Sequence, residues 1–289
     1  GNIGFTVWNN KSQVLSVNNL GLNIKDKALL GKDALVLKTN YSKGDEMLQV
    51  VAPVKFSTIR DHYNQLEIIF KGNYRLLFRA YDNGVAYRFV TQFKDDSVWV
   101  NKEEMSFDVN EASNAIWPYE AEKHENPFLS HFEYLFKNIA YQKIDSTIAG
   151  LPVYFSAGNK SKIVFTEADL FDYPNLFLQN KGQQRHAVLP HVIARQQRVR
   201  DRGVKILEEA DYIAKTSGNR KYPWRLWMIN DDDAALLTNT LVYQLAAPSV
   251  IKNTSWIKPG KIAWDWWNAN NVYGVDFKSG INNSTYKYY

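Results

Sequence analysis

Leu66-Glu67-Ile68-Ile69-Phe70-Lys71-Gly72-Asn73-Tyr74-Arg75-Leu76-Leu77-Phe78-Arg79-Ala80-Tyr81-Asp82-Asn83-Gly84-Val85-Ala86-Tyr87-Arg88-Phe89 reads as three strands written end to end. Leu66, Ile68 and Phe70, then Tyr74, Leu76, Phe78 and Ala80, then Val85, Tyr87 and Phe89 recur at a spacing of two. That is the period at which side chains share one face of a strand. Lys71-Gly72-Asn73 and Asp82-Asn83-Gly84 interrupt the pattern, and an Asn-Gly pair accepts the positive φ angles of a tight hairpin turn. The stretch therefore predicts an antiparallel meander.

Working outward, further strand-like runs lie at Gly4 to Trp8, Ala34 to Thr39, Val50 to Ile59, Val98 to Val100, Pro152 to Ser156, Ile163 to Thr166, Asn175 to Gln179 and His186 to Ile193. Leu241 to Leu245 reads as one more strand. Many strands with few helices imply two stacked sheets. One helical stretch opens with Asp231-Asp232-Asp233 and runs on through Ala234, Ala235, Leu236 and Leu237. Three carboxylates there cap free backbone donors and complement the dipole. A calcium site is the alternative, disfavoured because successive Asp side chains point different ways.

At 289 residues the chain can bury a substantial core as one large all-β domain or two ordinary ones. It is 45% hydrophobic and 22% charged, which argues against a disordered tail, and no apolar run approaches the roughly 20 residues of a membrane helix. The net charge of +5 comes from bases scattered among acids, which argues against nucleic acid as a partner. Even Arg195 to Arg202, with Arg195, Arg198, Arg200 and Arg202, reads as a solvated strand edge. The absence of cysteine excludes disulfides and thiolate metal sites. Gly1-Asn2-Ile3-Gly4-Phe5 lacks the features of a signal peptide, as expected of a cytoplasmic chain or of a mature one. Aromatics at 14% fit a carbohydrate-handling protein and a large β-sandwich alike.

Beyond Pro248 the grammar changes. Trp256, Trp264, Trp266 and Trp267 crowd a short segment with Asp265 and Asn268, a mixture suited to stacking on a flat polar ligand. Lys261 to Trp267 reads as a buried strand, followed by a polar loop with Asn268, Asn270, Asn271 and Gly274, and then by helix caps from Asn282 to Thr285. Strand, loop and helix start in that order are how the first βα unit of a barrel begins.

These residues carry a resemblance. Thr166-Glu167-Ala168-Asp169-Leu170 with Asp172-Tyr173-Pro174, Gly218-Asn219-Arg220 with Tyr222-Pro223-Trp224-Arg225, Leu241-Val242-Tyr243, and above all Thr254 to Asn282 resemble glycoside hydrolase family 97. Asn175 departs from the glycine that members often carry at a turn. The family removes terminal α-linked glucose or galactose outside the cytoplasm. The resemblance implies an N-terminal β-supersandwich of galactose-mutarotase type over residues 1–253. Residues 254–289 are then the linker and the first strand, loop and helix start of a catalytic (β/α)8 barrel.

The same resemblance implies an exo-acting, calcium-dependent glycosidase with two carboxylates about the anomeric carbon, placed on later barrel strands. No acid of residues 1–289 is accordingly assigned a catalytic role. Glu133, in His131-Phe132-Glu133-Tyr134, is the expected Ca2+ ligand, with Glu120, Glu122 and Glu125 as nearby alternatives. Trp267, Asn268 and Asp265 are expected beside the terminal sugar, where an indole face stacks on C–H groups and an amide bonds hydroxyls. The Trp264-Asp265-Trp266-Trp267-Asn268 run favours the retaining, galactose-cleaving members over those that cleave glucose. Expected partners are an α-linked oligosaccharide and the remaining polypeptide, and the expected location is the periplasm or outside the cell. Two other classes are weighed: a noncatalytic carbohydrate-binding sandwich, and a mutarotase using His62, His124, His131, His186 or His191 with a glutamate.

Overall fold

Tyr81 pairs with Gly84 across a two-residue turn, so the hairpin expected at Asp82-Asn83-Gly84 forms with Asp82 and Asn83 at its centre. Neither of those two residues has a positive φ. Gly84 is needed for another reason: a Cβ there would lie 2.4 Å from the carbonyl oxygen of Trp227 on the neighbouring strand. The computed structural model of the chain describes residues 1–51, 55–118, 126–129, 135–158, 160–199, 203–258 and 260–261. Backbone contacts divide the chain into two units, one of residues 1–50 with 54–248 and one of residues 51–53 with 249–289.

The first unit opens with β1 (Ile3–Asn9), β2 (Ser12–Ile24), β3 (Val36–Gln49), β4 (Thr58–Phe70), β5 (Tyr74–Tyr81) and β6 (Gly84–Gln92). It continues with β7 (Val98–Val109), β8 (Asn114–Trp117), β9 (Lys137–Ala140), β10 (Ile148–Ala149), β11 (Val153–Ser156) and β12 (Lys162–Ala168). Then come β13 (Phe177–Lys181), β14 (Gln184–Val188), β15 (Ile193–Arg198), β16 (Val204–Glu209), β17 (Ala214–Thr216), β18 (Asn219–Lys221) and β19 (Trp224–Asn230). Two one-turn helices close it, α1 (Asp233–Leu237) and α2 (Leu241–Leu245).

One sheet runs β1-β2-β7-β14-β13-β10, with β17 also on β7, and the other runs β3-β4-β5-β6-β19-β12-β11-β8-β9, with β18 also on β6. Their inner faces meet through an aromatic core. Trp227 lies within 4.9–6.2 Å, ring centre to ring centre, of Phe5, Tyr87, Phe107 and Phe165. Among the described residues β15 and β16 pair only with each other, and the arginines Arg195 and Arg198 ride on that solvated ribbon as expected.

Several elements differ from the sequence reading. Leu241 to Leu245 is α2, not a strand: Leu241 and Leu245, one helical turn apart, bury against Ala86, Trp224 and Leu226 on the outer sheet face. Val50 to Ile59 is mainly the connection between β3 and β4, a segment interrupted by Pro53. His186 to Ile193 divides between β14 and β15 at Pro190. In α1 the Asp232 side chain accepts the Ala235 N–H at 2.7 Å, which is the capping role. In the second unit, Trp256 donates its indole N–H to the Asn253 carbonyl. Lys261 begins the expected barrel strand, and the rest of that strand lies outside the described residues.

Candidate functional site

The motif fragments scattered between Thr166 and Arg225 converge on one end of the sandwich. Arg225 of β19 stands opposite Glu167 of β12, both on the inner face. The second partner, Glu103, comes from the facing sheet. Its orientation follows from a register shift in β7, where Ile24 pairs with Val100 but Asn23 pairs with Lys102. The extra residue changes the inward positions from Val98 and Val100 to Glu103, Met105 and Phe107. Arg225 Nε and Nη2 donate to the two Glu103 oxygens, each at 2.7 Å, while Nη1 donates to Glu167. Arg225 is 1% exposed and Glu103 4%, so the fork-to-carboxylate geometry operates with almost no solvent screening.

Burial pushes the Glu167 carboxyl above its usual range, partly offset by Arg225 and by the Leu176 N–H that it accepts. Burial also works against the charge on Arg225, but Glu103 and then Glu167 outweigh it and raise the guanidinium pKa. Burial drives Tyr173 well upward and takes Tyr222 up to about 12. The two rings meet edge to face at 5.4 Å, so they serve as neutral walls.

Above this frame, residues 169–174 are held by two further arginines. Asp169 is left-handed at φ 59; its Oδ2 accepts Arg88 Nη2 at 2.8 Å and its Oδ1 accepts the Ala247 N–H at 3.0 Å. Arg88 Nε also donates to the Tyr222 carbonyl at 2.7 Å. Arg220 donates to the carbonyls of Phe171 and Asp172 at 2.9 and 3.0 Å. Gly218 permits the approach of the preceding turn, since a Cβ there would meet the Asp95 carbonyl at 2.4 Å. The loop is thus fixed by charge-assisted bonds to its backbone and to one aspartate.

A cleft of about 460 Å³ lies over this loop, lined among others by Asp172, Tyr173, Pro174, His191, Glu209 and Lys215. Glu209 accepts the Asn126 amide and the His191 ring bonds the Ala210 carbonyl. A larger cleft of about 610 Å³ lies beside β1 over β4 and β5, with mainly apolar walls such as Ile3, Val7, Leu66 and Phe78. The cleft over the loop is the better candidate because the motif residues Asp172, Tyr173 and Pro174 form part of its wall. It can bind and orient a polar ligand, whereas Glu103, Glu167 and Asp169 are committed to arginines and are not free for proton transfer.

Among the described residues no group of three His, Asp or Glu could hold a metal ion. Glu133, Asp265, Trp267 and Asn268 lie outside the described residues, as do Glu120, Glu122, Glu125, His124 and His131. Of the other histidines, His62 is on β4 and His186 on β14, in different sheets, and His191 precedes β15. The sequence assigns no role to Glu103 or Arg88. The signal for Glu103 was the jump from even apolar positions, Val98 and Val100, to odd ones, Met105, Phe107 and Val109.

The model of the glycosyl-hydrolase 97 N-terminal domain matches residues 1–248. The chain belongs to glycoside hydrolase family 97. A retaining alpha-galactosidase of Bacteroides thetaiotaomicron is 34% identical to it over 293 aligned positions, covering 97% of this chain and 43% of the relative. The chain therefore spans less than half the length of that family 97 relative. A family 97 enzyme of Pseudoalteromonas sp. strain K8, solved with acarbose, superposes with a TM-score of 0.73 at 22% identity over 92% of this chain and 38% of its own. A beta-arabinopyranosidase superposes with a TM-score of 0.63 at 19% identity over 78% and 36%. These two likenesses concern the fold, and the sandwich is that of the family 97 N-terminal domain.

Proposed function

We propose that this chain is the N-terminal β-supersandwich, with the first strand, loop and helix start of the (β/α)8 barrel, of an exo-acting α-glycosidase that hydrolyses terminal α-linked galactose. The observation that carries this reading is the 34% identity to a retaining alpha-galactosidase across 97% of the chain. Glucose is the alternative sugar. The cleaving carboxylates belong to the remaining polypeptide, the chain's first partner, and the second partner is an α-linked oligosaccharide. Trp267, with Asn268 and Asp265, stacks on and hydrogen-bonds the terminal sugar, a role of orientation and not of bond cleavage.

In this reading the enzyme depends on Ca2+ and works in the periplasm or outside the cell. The family resemblance makes Glu133 the one calcium ligand this chain contributes, with the others in the remaining polypeptide. Calcium takes six to eight oxygens in tolerant geometry, which suits a carboxylate brought from a second domain. Arg88 and Arg220 support the reading in one respect: their bonds to Asp169, Phe171 and Asp172 fix residues 169–174 as a wall, and a wall that orients sugar must not yield.

The test is hydrolysis of nitrophenyl α-galactoside and α-glucoside by the full-length protein, with and without a calcium chelator. Release from the galactoside that stops on chelation is expected. Activity on neither substrate would overturn the substrate class, and indifference to the chelator would overturn the metal. A noncatalytic sugar-binding sandwich would bind galactose without any turnover.

A further inference from the structure

The cleft of about 610 Å³ beside β1 and a second of about 490 Å³ share Ile3 and Ile68, so they run together as one groove from Gly1 past the whole of β1 to Asn9. Every residue from Ile3 to Asn9 lines it, which places the edge of β1, and not one face alone, along the groove. β1 is the terminal strand of its sheet, and among the described residues no strand pairs with its outer side. The backbone groups on that side form a template for one more strand.

The opposite wall is the core-facing side of the wider sheet. Phe5 of β1 meets Phe78 of β5 at 5.5 Å, Tyr87 of β6 at 6.1 Å and Trp227 of β19 at 5.8 Å, so β1 lies over β5, β6 and β19. Phe78 pairs with Leu66 and Leu66 with Tyr41, and directly paired residues point to the same face. Leu66 of β4 and Tyr41 of β3 therefore face inward, yet Leu66 and Ile68 are only partly buried and Tyr41 is 81% exposed. The wider sheet is left uncovered at β3 and β4.

Neighbouring strands lie about 4.8 Å apart and facing sheets about 10 Å. One strand added beside β1 therefore comes to lie over β4, where it pairs the free edge and covers Leu66, Ile68 and Tyr41 together. A small apolar molecule covers the wall but leaves the row of backbone donors and acceptors unpaired, whereas an extended peptide answers both. β1 is 7 residues long, and the groove accepts a strand of similar length with alternate apolar side chains turned inward.

The supply of chain decides the occupant. More than half of the retaining alpha-galactosidase relative lies outside the part that aligns with this chain, and a full-length protein of similar size holds ample polypeptide of its own. A tethered segment reaches the groove at an effective concentration that a separate copy does not match. We propose that a β-strand from the remaining polypeptide docks in this groove, hydrogen-bonded to the free edge of β1 and packed on β4, and completes the narrower sheet. The inference rests on the proposed function only in taking that polypeptide to belong to the same molecule.

The experiment uses the full-length protein with the photo-cross-linker p-benzoylphenylalanine in place of Tyr41, an exposed side chain at the mouth of the groove. Irradiation is followed by mass measurement under denaturing conditions and by peptide mapping. The expected adduct joins position 41 to a peptide outside residues 1–289, at the mass of a single chain. Hydrogen exchange of the unsubstituted protein gives a second readout: every β1 amide from Gly4 to Trp8 should exchange about a hundredfold or more slower than open chain. A bare edge leaves alternate β1 amides exchanging freely. The proposal is overturned by an adduct of doubled mass, which makes the occupant a second copy, by an adduct confined to residues 1–289, by no adduct, or by free exchange at alternate β1 amides. The same preparation is assayed on nitrophenyl α-galactoside and α-glucoside. Turnover without an adduct sinks this inference alone, and an adduct without turnover sinks only the glycosidase reading.

Discussion

Arg225→Met removes the cation from between two carboxylates that have no other ion-pair partner among the described residues. Glu103 loses both of its bidentate bonds, and Glu167 keeps only the Leu176 N–H. Breaking a buried ion pair from one side costs about 3–5 kcal/mol, and with two carboxylates stranded the upper end is expected, about 5 kcal/mol. For a domain of this size that lowers Tm by roughly 10–20 °C. Arg225→Lys keeps the charge but not the fork, and should lose about half as much. Glu103→Leu combined with Arg225→Met removes the more deeply buried stranded charge and should recover more than half of the loss. Urea unfolding followed by tryptophan fluorescence measures all three. In Arg225→Met the Glu167 carboxyl, raised by burial, loses the cation that offsets it and binds its proton more tightly folded than unfolded, so the variant's stability falls as pH rises above the unfolded pKa of about 4.3. Its deficit relative to the parent protein therefore shrinks toward acid pH. A loss below about 1 kcal/mol, or a double variant no more stable than the single one, would refute the view that the frame is a mutually neutralised unit.

Asp169→Ala should cost about 1–3 kcal/mol in thermal unfolding, since Arg88 and the Ala247 N–H both lose their acceptor at a left-handed residue. Asp61 is 3% exposed, has one oxygen without a partner, and burial raises its carboxyl pKa. The folded state therefore binds its proton more tightly, and its ionised form destabilises the fold as pH rises past the unfolded value of about 3.9. Asp61→Asn should accordingly gain Tm over the parent protein between pH 4 and 7, and a gap that does not widen with pH would contradict this. Glu133→Gln in the full-length protein should weaken calcium binding by about tenfold in a calorimetric titration, whereas unchanged affinity would remove Glu133 from the site.

The meander was legible because Leu66 to Phe89 obeys a strict two-residue period with turn residues between the runs, and that signal is local. Leu241 to Leu245 was not, because four apolar residues and Gln244 fit a strand or one helical turn equally well, and only the outer sheet face beneath Leu241 and Leu245 decides. The motif fragments carrying the resemblance were visible as Glu167, Asp169, Arg220 and Arg225. Their partners were not, because Glu103 lies 122 residues from Arg225 and Arg88 lies 81 from Asp169. The first pair exists only once the two sheets have closed on each other, and the second only once β6, β19 and β12 lie side by side in one sheet. For Glu103 a one-residue irregularity in β7 had also to turn a charged side chain inward, against the usual preference for burying apolar groups.

The most direct measurement is proton NMR of the full-length protein acting on nitrophenyl α-galactoside, following the anomeric signals of the sugar as it is released. Galactose emerging first as the α anomer and then mutarotating is the outcome expected of a retaining α-galactosidase built on this sandwich. An intact substrate after prolonged incubation with calcium, for the galactoside and the glucoside alike, would contradict it.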